Sequence, residues 1–156
     1  MGRVTWLPET GGGATPFERA FALRPNLQAA WRDFAVLFWE GGLLDPALLE
    51  LLRARVAQIH GAPLPDLCEA MRSARAALDP GRLRALDAWW RSDAFDPTER
   101  ACLRFAEQFA LDPGGITDGE AAAVVEALGE PGAVALVELL ALLDGFSRFA
   151  RILELA

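Results

Sequence analysis

Four side chains with usable chemistry, Glu50, His60, Cys68 and Glu69, fall in one short stretch, ELLRARVAQIHGAPLPDLCE. A carboxylate withdrawn from water gains a raised pKa and can pass protons. An imidazole titrates near neutrality, and a thiolate attacks peroxides and disulfides. Spacing keeps the four apart. Glu50 and His60 are ten residues distant, about 15 Å along one helix, so they meet only if another element or subunit intervenes. His60 is the sole histidine and precedes Gly61, where an imidazole can equally bond the last helical carbonyls. Cys68 stands near a helix start, where exposed amides lower a thiol pKa. It also shares the helical spacing of Leu67, Met71 and Ala74, where cysteine packs as a small apolar residue. Cys102, between apolar neighbours that include Phe105 and Phe109, reads as core.

Glu50 lies about 180° from the stripe of Leu52 and Ile59, which fits either a solvated glutamate or one facing a cavity. Glu69 reads as a solvated helix residue or as a second carboxylate in that cavity. Arg55 falls inside the apolar stripe and needs an acid, a subunit or an anion as partner. Trp89 and Trp90 could line a ligand cavity, but adjacent helical residues point apart and at least one belongs to core or interface.

Composition narrows the field. The chain has 156 residues, 53% of them apolar, enough for one domain with a real core. Its net charge of -7 and the lack of a basic stripe argue against nucleic acid. All 15 basic residues are arginines, so phosphate-loop and Schiff-base lysine chemistries are absent. One histidine excludes a multi-histidine metal site, and no motif calls for a cofactor. MGRVTWLPETGGG lacks the apolar stretch of a secretion signal, and the two cysteines form no Cys-x-x-Cys pair; a cytoplasmic protein with free thiols is expected. The strongest apolar run, 133–143, contains Glu138 and is too short to span a membrane. So apolar a chain, with mean hydropathy +0.19, suggests surface hidden in a homo-oligomer.

Punctuation divides the sequence into helices. After a tip at Gly11 to Gly13, Thr15, Pro16 and Glu18 form a capping box. A second helix follows Pro25 and ends at Gly41 and Gly42. A third starts with Asp45 as cap and stops at Gly61. A fourth is expected from about Pro65 to Leu78, closed by Asp-Pro-Gly, and a short fifth spans RLRALDAWWRS. Asp96, Pro97 and Glu99 open a sixth; Thr117 and Glu120 a seventh; a long C-terminal helix follows Pro131. No alternating β-branched run competes, so the fold is all-α, a single-domain bundle of about seven or eight helices. Residues 1–24 are read as an extension with a short helix, 25–156 as the bundle.

At this point LLELLRARVAQIHG, followed by WWRSDAFDPTERACLRFAEQFAL, resembles the alkylhydroperoxidase D and carboxymuconolactone decarboxylase superfamily. The likeness runs over roughly residues 25 to 154. That family carries a glutamate, a Cys-x-x-Cys beginning twelve positions later, and a histidine four residues past the second cysteine. The resemblance places the glutamate at Glu50 and retains it. The cysteine positions fall on Ala62 and Pro65, the histidine position on Glu69. The implied chemistry, a thiolate oxidised by peroxide to a sulfenic acid and resolved by its neighbour as a disulfide, needs those thiols.

Three functions follow. The favoured one is an alkylhydroperoxidase D-like homo-oligomer (dimer, trimer or hexamer) without thiol-peroxidase activity, keeping a small-molecule pocket or a structural role. The second is a decarboxylase-like acid-base enzyme using Glu50 or Glu69 with His60. The third is a one-cysteine hydroperoxide reductase built on Cys68.

Overall fold

A computed structural model describes residues 15–155, which form seven α-helices with no strand among them. The glycine tip and the first fourteen residues lie outside the described residues. Helix α1 is Pro16–Ala22 and α2 is Pro25–Trp39. Helix α3 is Pro46–His60, α4 Glu69–Ala77 and α5 Pro80–Ala85. Helix α6 is Pro97–Leu111 and α7 Asp118–Ile152. Short 3-10 turns cover Leu86–Arg91 and Pro113–Gly115.

The start signals act as their chemistry requires. Thr15, Asp96 and Thr117 each accept the N3 amide, while Glu18, Glu99 and Glu120 return the bond to the cap backbone. Asp45 accepts the Ala47 amide at 2.7 Å. Helix α3 ends at Gly61, whose φ of 62° lets the Ala62 amide reach back to the Ala57 carbonyl at 3.1 Å. The predicted boundary before Pro131 survives as a break inside α7, where Gly129 has φ 71° and ψ 168°.

Three boundaries differ from expectation. Helix α4 starts at Glu69 with Cys68 as its N-cap, so Pro65 sits in the extended connection and not at a helix start. Asp-Pro-Gly closes α4 but also opens α5, since the Asp79 carboxylate accepts the Gly81 amide at 2.8 Å. The expected fifth helix splits into α5 and a 3-10 turn interrupted at Ala88.

Helix α3 is the hub. It packs on α4, α6 and α7, and α6 and α7 pack on each other. Leu49, Leu51, Leu52, Leu103, Leu136, Leu139 and Leu140 are fully enclosed between them. Each contributes about 1.5–3 kcal/mol by leaving water, an upper figure because the unfolded chain is already partly collapsed. A second, smaller cluster joins Phe17 and Phe21 of α1 to Ala62 and to Phe146 and Ala150 of α7. Both Phe17 and Phe21 stack on Phe146 with centroids 5.7 Å away. Among the described residues no helix is long and apolar enough to cross a membrane.

Candidate functional site

Helix α3 is covered on so many sides that six successive residues, Leu48 to Arg53, are all buried. Glu50 is therefore inside the protein, 2% exposed, although it lies off the apolar stripe. A buried carboxylate must be matched. Trp39 of α2 donates its indole N–H to Glu50 Oε1 at 2.8 Å, and Arg53 Nη2 donates to Oε2 at 2.7 Å. Arg53 Nε adds bonds of 3.1 and 3.2 Å to the same carboxylate. The remaining guanidinium donors turn outward to the connection after α3, reaching the Leu64 carbonyl at 2.8 Å and Asp66 Oδ1 at 3.1 Å. Asp66 Oδ2 then accepts Arg75 of α4 at 2.6 Å. A chain of alternating charge thus runs from α3 through the connection to α4, with the neutral Trp39 of α2 donating to its first carboxylate.

Ala62 is fully buried in the small cluster beneath Phe17, Phe21 and Phe146. Pro65 lines an apolar pocket with Trp39, Leu64, Leu67, Met71 and Phe146, which has space for about one water-sized molecule. Its wall presents no polar group to a ligand.

His60 joins neither Glu50 nor Glu69. Its Nε2 lies 2.6 Å from Asp144 Oδ1 on α7, a position 84 residues later. Arg148 Nε donates to Asp144 Oδ2 at 2.8 Å, and Arg151 donates to the His60 carbonyl at 3.2 Å. The His60 carbonyl at the end of α3 is thereby satisfied from α7, not by its own imidazole. Ser147 lies on α7 between Asp144 and Arg151, but it is fully buried and its hydroxyl has no hydrogen-bond partner.

Cys68 is half-buried and packs against the main core beside Leu67 and Met71. Glu69 opens α4 at the surface and meets the outer end of the Glu50 network through Arg72, whose Nε lies 4.0 Å from Asp66 Oδ2. Its side chain is 70% exposed and pairs with Arg72 one turn on. Cys102 is enclosed, and burial, reinforced by the charges of Asp96 and Glu99, pushes its thiol pKa up to about 12. It stays a neutral thiol at physiological pH. Arg55 finds its acid in Glu107 of α6 at 2.8 Å, an oxygen that also accepts the Trp89 indole at 2.8 Å. Trp89 is buried and Trp90 exposed. No group of three or more potential metal ligands gathers among the described residues.

The four candidates thus fall into separate settings. Glu50 belongs to an internal ion-pair chain, His60 to a dyad with Asp144, Cys68 to the head of α4 and Glu69 to the surface. Trp39, Arg53, Asp66 and Asp144 were not foreseen as partners. The three-residue step from Glu50 to Arg53 carried a visible signal; the distance to Asp144 carried none.

No family model matches this sequence, and no curated protein matches it significantly. Among solved structures, a crystal structure from Agrobacterium tumefaciens superimposes with a TM-score of 0.70 at 15% identity. The match covers 86% of this chain and 92% of that one. That protein is of unknown function, described as a candidate antioxidant defence protein AhpD. At this identity the likeness is one of architecture: the chain has an AhpD-like all-α fold.

Proposed function

We propose that this chain is an AhpD-like subunit without thiol-peroxidase activity, in which the first thiol position of the redox centre has become structural core. The observation that carries the reading is Ala62, wholly enclosed at the first thiol position by two phenylalanines of α1 and one of α7. Two further features agree with it. Glu50, the proton-handling position in the resembled family, is held by three donor groups of Arg53 and Trp39. The adjoining apolar pocket is too small for an organic peroxide. Together they favour a structural role over ligand binding.

The test is hydroperoxide consumption with a dithiol reductant. Wild type and Cys68→Ser should be equally slow; Cys102 needs no replacement because its thiol is un-ionised and enclosed. A clear rate lost with Cys68→Ser would reject the reading in favour of a one-cysteine reductase.

The 2.6 Å contact between His60 and Asp144 supports a second reading, the acid-base enzyme, with the carboxylate partner on α7 in place of Glu50 or Glu69. Turnover of a lactone or small carboxylic acid that His60→Asn and Asp144→Asn both abolish would establish it.

A further inference from the structure

Eleven large apolar side chains are exposed among the described residues, and five of them crowd into the 21-residue segment 23–43: Leu23, Leu27, Phe34, Leu37 and Leu43. Within α2, Leu27, Ala30, Phe34 and Leu37 are all exposed among the described residues and follow a three-four-three spacing, so they form one seam. Such spacing is that of helix pairs packed knobs into holes. The buried residues of α2, Ala35, Phe38 and Trp39, already satisfy its contacts with the main core. Of the seam, Phe34 also touches the core, edge-on to Phe38 with centroids 5.2 Å apart.

We propose that this seam is a homodimer interface, occupied by α2 of a second copy running antiparallel across a two-fold axis at the level of residue 32. Self-complementarity argues for a second copy. That axis sets Leu27 against the partner subunit's Leu37, and Ala30 against the partner subunit's Phe34, a small residue receiving a large one. It also brings Arg24, just before α2, level with the partner subunit's Glu40, just after it. Both are exposed and opposite in charge, and the symmetry makes the pairing twice. A parallel arrangement would set Arg24 against Arg24 and Glu40 against Glu40. The seam's Leu27, Phe34 and Leu37 expose on the order of 300 Å², more than a third of the roughly 800 Å² that each partner of a stable interface contributes. The inference does not depend on the absence of peroxidase activity.

The experiment is light scattering coupled to size exclusion at micromolar concentration, on the full chain and two matched variants. Leu37→Glu and Leu111→Glu each place a charge on a side chain already about two-thirds exposed, 68% and 66%, so neither threatens the fold. Wild type and Leu111→Glu should scatter at twice the 16.9 kDa chain mass, or at a multiple of that dimer. Leu37→Glu should halve the assembly, with an unchanged circular dichroism melt and a dimer weakened about a hundredfold by two carboxylates in an apolar seam. A thiol pair then checks the register. Mixed Ala30→Cys and Phe34→Cys chains, each prepared with Cys68→Ser because that thiol is only half-buried, should cross-link to each other under oxidation and not to themselves. A monomeric wild type, an assembly that Leu37→Glu leaves intact, or self-linking of either variant would overturn the proposal.

Discussion

Arg53 shows how a change at one residue alters what its neighbours can do. It is 5% exposed, and its five donors serve Glu50, the Leu64 and Pro65 carbonyls and Asp66. A buried ion pair is no guarantee of stability, because desolvation offsets much of the attraction, but a buried charge left alone is costly. Arg53→Met should therefore destabilise by about 3–5 kcal/mol in urea unfolding, since it strands the Glu50 carboxylate. Adding Glu50→Gln to Arg53→Met should recover part of that loss by removing the stranded charge. If the double variant is instead as unstable as the sum of the two single ones, Glu50 and Arg53 are not coupled and the ion-pair account fails.

At the scale of elements, Glu107 ties α3 to α6 and to the 3-10 turn that carries Trp89. Burial alone would raise its pKa. The hydrogen bonds from Trp89 and Arg55, with the charges of Arg55 and Arg104, outweigh burial and hold the carboxyl below its ordinary 4.5. A lowered folded pKa means stability that is complete above about pH 4.5 and is lost as pH falls through the folded value. Glu107→Gln should accordingly cost about 1–2 kcal/mol at neutral pH, and the difference should shrink as pH falls through the folded pKa and the carboxyl becomes neutral. A pH-independent difference would show that shape, not charge, holds this contact. Such ties explain what the sequence could and could not disclose. Thr15 with Glu18, Asp96 with Glu99 and Thr117 with Glu120 announce helix starts because a cap and its reply lie three residues apart. Gly61 and Gly129 announce breaks because each takes a positive φ. The head of α4 was misplaced because Pro65 suits a first helical turn as well as an extended connection, and only Arg53, reaching over to Leu64 and Asp66, decides between them. Glu50 escaped a stripe reading because stripes assume one wet face, and α3 has none from Leu48 to Arg53.

Across the whole molecule the apolar residues divide into two clusters of unequal size, and the smaller one bears on the functional proposal. The main cluster is held by α2, α3, α6 and α7, whereas the small one depends on α1, seven residues long, for Phe17 and Phe21. So short a helix has little stability of its own, so its order rests on the stacking of those rings on Phe146. Local opening of α1 should therefore precede global unfolding. It would uncover Ala62, the position where the resemblance places a thiol. An Ala62→Cys chain, prepared with Cys68→Ser, offers a direct probe, because Cys102 stays enclosed. Its introduced thiol should react with an alkylating reagent faster than the chain unfolds, and Phe21→Ala should accelerate the reaction by about tenfold or more, since removing a buried phenylalanine weakens the cover while leaving the main cluster intact. Modification at the global unfolding rate in both proteins would mean that α1 is part of one cooperative core. Position 62 would then be sealed by the fold as a whole, and not by a short helix laid over it.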